Sequence, residues 1–142
     1  MIEAENNMTT MELQAAPADL NESLGLVDII SFDKETSRIR MEYKARQAFC
    51  HSGGVVQGGF VTGWIDAAMA HSVIFSTDQL LSPLSLEIKV TFLKSVSPGR
   101  VFAEAWVERR GRSICFLEGQ LLNEAGEILA KGTSTAKLVA IK

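Results

Sequence analysis

The chain has 142 residues, 46% of them hydrophobic and 22% charged, with a formal net charge of -3. That length suits one domain with a real core, and the balance is that of an ordinary globular protein. The acidic balance argues against a nucleic-acid binder, which carries a basic patch. Two cysteines, Cys50 and Cys115, make neither a disulfide framework nor a CxxC metal pattern, and they read as small core residues in a reducing cytoplasm.

Residues 1–16 are acidic and polar, with no cationic start or apolar run. They predict a flexible tail ahead of a single domain over 17–142, and they do not resemble a secretory signal. "PADLNESLG" predicts a short helix capped by its Asp or Asn. "LVDIISFD" and "SRIRMEYKA" predict two strands with "DKETS" as the hairpin turn between them. In the second, Ile39, Met41 and Tyr43 alternate with Arg38, Arg40, Glu42 and Lys44, so one face is solvated. After a Gly-rich stretch, one long helix is expected over Gly58–Phe75. A membrane span is conceivable only at Val55–Phe75, where Asp66 at the centre would cost about 2.5–3.5 kcal/mol. The segment therefore reads as a buried helix of a soluble protein.

Four more strands are expected: "PLSLEIKVTFL", "RVFAEAWVER", "ICFLEGQLLN" and "EILAKGTSTAKLV". "SPGR", "RGRS" and "EAG" separate them as short hairpin turns. In the first of the four, Leu84, Leu86, Ile88, Val90 and Phe92 alternate with Ser85, Glu87, Lys89 and Thr91. The whole is an α+β pattern, six antiparallel strands curled around one helix. The helix is apolar nearly all round, which predicts that it is wrapped on every side. Gly59, Gly63, Ala67 and Ala70 give it small residues that let backbones come close.

Asp66 is the one formal charge between Arg46 and Asp78. It lies about 12 Å along the helix from Gly58, too far in to be an N-cap. An ionised carboxylate out of water is expensive, and Asn or Leu would serve packing better. Carboxylates in such places have raised pKa values and do acid–base work. "GGVVQGG" leads into the helix, where a backbone N–H at Gly58 or Gly59, backed by the helix dipole, can bind a developing oxyanion. Without a Cβ there, a substrate carbonyl can approach closely.

His51-x-x-Gly54-x-x-Gln57-Gly58-Gly59, six residues, then Asp66-Ala67-Ala68 resembles the signature of hotdog-fold acyl-CoA thioesterases of the phenylacetate-pathway branch. The likeness runs from about residue 24 to 140 and includes "SLEIKVTFLKSVSPG". It implies Asp66 as general base or nucleophile, a Gly58 N–H that polarises the thioester carbonyl, and Ser85 helping to hold the attacking water. His51 stands where the family has Asn, and Gln57 where it has His; either side chain can position a carbonyl or water. Gly59, Phe60 and Trp64 would line the substrate. Arg110 and Arg112, in "VERRGRS", would meet the coenzyme A phosphates. The resemblance implies a homodimer or a dimer of dimers, and no cofactor, coenzyme A being part of the substrate.

Two other readings stay open: a hotdog dehydratase or hydratase, and a non-catalytic acyl-CoA binder. His71 lies about 140° around the helix from Asp66, which separates it from the carboxylate. No His/Cys/carboxylate grouping has metal spacing, and neither a GxGxxG nor a phosphate loop occurs. No metal, nucleic acid or membrane is therefore expected as a partner.

Overall fold

The computed structural model describes residues 18–142; the expected tail lies outside them. A short helix α1 (Ala18–Leu24) precedes strands β1 (Leu26–Asp33) and β2 (Arg38–Ala45). The long helix α2 (Gly58–Ser76) follows, then β3 (Leu81–Phe92), β4 (Gly99–Arg110), β5 (Ile114–Asn123) and β6 (Ile128–Ala140). All six strands form one antiparallel sheet in the order β1-β2-β4-β5-β6-β3. The expected run of hairpins from β3 to β6 is thus corrected at its first step. β3 pairs with β6 at the sheet edge, while β4 pairs with β2. Along the chain, helix α2 and β3 together fall between the paired neighbours β2 and β4.

The alternation in β2 holds. Ile39, Met41 and Tyr43 are fully buried, and the charged residues between them lie on the outer face. There Glu104 accepts from Arg38, Arg40 and Gln120, and Glu42 accepts two hydrogen bonds from Arg100. The alternation in β3 does not hold. The register slips between Ser85 and Glu87, where Ser85 faces Ala136 and Glu87 faces Thr135. Leu86 is the extra residue of this bulge. The slip turns Ser85 to the helix side, together with Ile88, Val90 and Phe92, and leaves Leu84 outside. Leu84 and Leu86 are accordingly exposed, not core. Ser134 secures the bulge by donating its hydroxyl to the Glu87 carbonyl at 2.8 Å.

Helix α2 buries Val61, Trp64, Ile65, Ala68, Met69, Ser72 and Val73. Ile65 fixes its height. Gly119 and Gly132 face each other across β5 and β6, and a Cβ on either would stand 2.9 or 3.0 Å from Ile65 Cγ2. The two glycines make a dent in the sheet that takes this side chain, and so set the rotation of its neighbour, Asp66. Trp64 donates its indole N–H to the Leu24 carbonyl at 2.7 Å, and Ser72 donates to the Ser37 carbonyl at 2.6 Å. The expectation of a helix wrapped on all sides is corrected here: Gly59 and Asp66 are exposed, and Gly63 and Ala70 only half-buried. One side of α2 is open in the single chain, because a sheet of six strands curls past about half of the helix. Among the described residues, no helix is long and apolar enough to cross a membrane.

Candidate active site

The segment between β2 and α2 doubles back on itself. Cys50 and Val56 form an antiparallel bridge, and the turn between them uses Gly53 and Gly54 at φ 105° and 73°. Val56 donates to the Val96 carbonyl and Gln57 to the Phe49 carbonyl, both at 2.9 Å. These bonds hold the loop from both sides and deliver the chain to the helix start at Gln57, whose φ and ψ are -64° and 139°. No side chain caps this end. Phe60 is the first amide to bond inward, to Gln57 O at 3.0 Å. Among the described residues, neither the Gly58 nor the Gly59 N–H meets an acceptor. Two free donors therefore face outward at the positive end of a 19-residue helix dipole.

The missing Cβ atoms of these glycines serve the protein's own side chains. A Cβ on Gly58 would stand 3.1 Å from the Phe92 ring, and one on Gly59 would stand 2.9 Å from Gln57 Oε1. The Gln57 amide thus lies folded over the first turn. The half-buried Phe60 stacks on Phe49 with ring centroids 4.1 Å apart.

Two turns further on, Asp66 sits on the open side of α2. Ser85 Oγ points at its Oδ1 from 3.5 Å, at the outer limit of a hydrogen bond. The β3 bulge is what makes this contact possible. Removal of water by the protein around the carboxyl raises its pKa above the usual carboxylate value, and the Ser85 hydroxyl pulls it partly back. Among the described residues no cation pairs with Asp66. Beneath the helix, the Tyr43 hydroxyl is buried and has no partner among the described residues, and burial, helped by the charge of Asp66, keeps it protonated.

Of the residues singled out from the sequence, the structure brings Asp66 to Ser85, and Gln57, Gly58, Gly59 and Phe60 to the helix start. His51 is exposed in the turn, its Nδ1–H donating to Ser52 O at 2.8 Å. Trp64 is fully buried with its N–H already satisfied, so it belongs to the core and not to a substrate wall. Arg110 shares a row across the sheet with Cys115, Ala136 and Ser85. Three strand spacings, about 14 Å, separate it from Ser85. Arg112 lies beyond it in the exposed β4–β5 hairpin. Neither arginine reaches Asp66 or Gly58 within one chain. Phe92 was not singled out; alternation marks it only as one more apolar residue.

The architecture matches proteins of known structure. A phenylacetic acid degradation-related protein of Ralstonia eutropha JMP134 is 31% identical, covers 85% of this chain and 89% of its own, and superposes with a TM-score of 0.78. The Escherichia coli PaaI protein from the phenylacetic acid degradation operon is 19% identical over 95% of this chain and 91% of its own, with a TM-score of 0.78. A Streptococcus mutans UA159 protein, solved bound to acetyl-CoA, is 18% identical over 81% of this chain and 90% of its own, with a TM-score of 0.71. The last two show the fold, a hotdog sheet around one helix. The family model of the thioesterase superfamily matches residues 53–130, from the Gly-rich turn to the start of β6. The chain belongs to the thioesterase superfamily, in its hotdog-fold, phenylacetate-pathway-like branch.

Proposed function

We propose that the protein hydrolyses acyl-CoA thioesters at sites shared between two copies of the chain. One observation carries this reading: the open side of α2 holds both an unpaired carboxylate and two free N–H groups. They stand about 12 Å apart along the helix axis, whereas catalytic contacts need roughly 3 Å. Two antiparallel helices related by a two-fold axis bring the Asp66 of one copy opposite the Gly58 of the other. The exposed apolar residues of β3 supply an edge for such pairing. A dimer, alone or doubled into a tetramer, follows.

In the reaction, the thioester oxygen accepts from the Gly58 N–H, with Gly59 beside it and the Gln57 amide orienting the group. Asp66 takes a proton from water as the water oxygen bonds to the carbonyl carbon. The tetrahedral oxyanion is held at the helix start. On collapse the C=O re-forms, the C–S bond breaks, and the coenzyme A sulfur takes the proton back from Asp66. Should Asp66 attack directly, an anhydride forms first and water then releases the acid; both routes need the ionised carboxylate. Ser85 orients the carboxylate or its water. Among the described residues, His51 keeps its Nε2 uncommitted on the loop that carries Gln57, a place from which it can steady water or substrate. Arg110 and Arg112 can serve coenzyme A phosphates only from a neighbouring copy. The acetyl-CoA bound to the Streptococcus mutans fold relative supports this ligand class.

Asp66→Asn keeps the shape but loses the base, and turnover, read as thiol release, is expected to fall at least about 10²-fold. Mixing Asp66→Asn with Gly58→Pro chains should restore activity, because the heterodimer holds one complete site. Proline removes the N–H and is tolerated in a first helical turn; Gly58→Ala, which brings a Cβ against Phe92 but keeps the N–H, is the control. Near wild-type hydrolysis by Asp66→Asn sinks the mechanism. Folded, dimeric mixtures without recovery sink the shared site, and acyl-CoA binding without turnover by the wild type leaves a binding protein.

A further inference from the structure

The space beside Gly58 is already taken. A Cβ there would lie 3.1 Å from Phe92 Cζ and 3.3 Å from Cε1, closer than ordinary contact. In a helix the Cα–Cβ bond tilts toward the N-terminus, so the ring stands alongside the Gly58 N–H and not behind it. Phe92 is the last residue of β3, opposite Ala130 on the inner side, and 55% of it is exposed. On this strand Leu81, Ile88 and Val90 are half-buried against the core cluster, whereas Phe92 is left mostly exposed. A large aromatic ring is thus held half in solvent against the first of the two glycines whose N–H groups are free. Across the same helix turn, the Gln57 amide lies over Gly59. The two N–H groups are flanked by one apolar wall and one polar wall.

We propose that Phe92 selects the acyl group: it is the wall against which the carbons next to the thioester carbonyl pack, and it favours acyl groups unbranched at that position. This rests on the acyl-CoA hydrolase reading above and adds to it the class of acyl chain. A carbonyl oxygen held at roughly 3 Å from the Gly58 nitrogen sets the adjacent carbon within contact of a ring that touches Gly58 itself. A straight chain presents a CH2 that fits along the ring. A second methyl on that carbon needs space the ring fills, and close-packed sites penalise such overlap. The ring also keeps water from the oxyanion as it forms, which strengthens the hydrogen bonds to it.

The test compares butyryl-CoA with isobutyryl-CoA on wild type, Phe92→Ala, Phe92→Leu and Thr91→Ala, the last a substitution on the outer face one residue away. Phe92→Ala should raise the isobutyryl-to-butyryl ratio of kcat/KM by about tenfold, the scale of one methyl group in an apolar pocket. Phe92→Leu should fall between, and Thr91→Ala should match wild type. An unchanged ratio in a folded, dimeric Phe92→Ala overturns the proposal; if that variant does not fold, Phe92→Leu decides. Failure of the hydrolase reading is seen separately, as wild type that releases no thiol from either ester. The same ratio is then taken from dissociation constants by calorimetry, with the same shift expected for Phe92→Ala and no shift overturning the proposal. A wild-type chain that neither binds nor cleaves either ester overturns both.

Discussion

Strands β1 and β3 close the two edges of the sheet, and each flanks one side of α2. β1 slips register twice, between Leu26 and Asp28 and between Ile29 and Ser31, and the extra residues Val27 and Ile30 are exposed. Past these breaks Phe32 turns in to meet Phe75 edge-on at 5.5 Å, and Phe75 meets His71 at 6.1 Å. β3 slips once and turns in Ser85, which meets Asp66. Both sides take water from a titratable group and so disfavour its charge, which pushes His71 down and Asp66 up. His71 can answer by staying neutral, its Nδ1–H satisfied by the Ala67 carbonyl at 2.7 Å. Among the described residues, Asp66 has only the long contact with Ser85. The β1 side has settled its buried group, while the β3 side keeps a carboxylate that gains by taking a proton.

The widest difference expected between the edges concerns assembly. Two bulges blunt β1, whereas β3 runs regularly from Glu87 to Phe92 and can pair with a second copy. Leu86→Lys, at the exposed bulge of β3, should therefore convert the proposed dimer to a monomer and lower turnover at least about 10²-fold, since the proposed site needs both copies. Val27→Lys, at an equally exposed bulge of β1, should change neither, as a surface substitution within about 0.5 kcal/mol. Light scattering with the thiol-release assay reads both. Equal effects at the two edges would remove the distinction between them.

A smaller effect is expected from the inward turn of Ser85. Ser85→Ala should slow turnover about tenfold, less than Asp66→Asn, because it removes an orienting hydrogen bond to a charged group and not the proposed base. The hydroxyl lowers the pKa of Asp66, so its loss should also move the acid limb of the pH–rate profile to higher pH. Phe32→Leu, on the β1 side, should leave that limb in place. A profile that does not move in Ser85→Ala would assign the serine to the water or the substrate instead of the carboxylate.

The local patterns were legible in the sequence. Alternation in β2, the extent of α2 and the interval from Gly58 to Asp66 all rest on neighbours along the chain. What was not legible depends on pairing across the sheet. "PLSLEIKVTFL" alternates without a break, so nothing in it marks the slip at Leu86 that reverses Ser85 and exposes Leu84. The place of β3 beside β6 depends on long-range hydrogen bonds that short turns do not encode. The same holds for the glycines: Gly58 and Gly59 read as room for a substrate, but the space they leave belongs to Phe92 and Gln57. Trp64 resembled a pocket residue because an apolar helix does not show which of its sides the sheet will cover.

The smallest effect is on stability, and its sign differs between the two sides of α2. The folded-state pKa of Asp66 is raised, so between the unfolded value and the folded one the native chain holds more protons than the unfolded chain. Stability then falls as pH rises through that window, and the cost of the partly desolvated charge is fully present above it. Asp66→Asn should accordingly melt above wild type at pH 7, with the difference fading once both states of Asp66 are protonated. For His71 the folded pKa is lowered beneath 6.5, and there the unfolded chain takes up the proton first. Stability falls as pH drops from about 6.5 toward the folded value, and His71→Gln should flatten that slope while leaving the melt at pH 8 nearly unchanged in its pH dependence. Thermal melts of wild type and the two variants from pH 3.5 to 8 separate these trends. If Asp66→Asn is less stable than wild type at neutral pH, the carboxylate is supporting the fold, and the contrast between a settled β1 side and a strained β3 side is wrong.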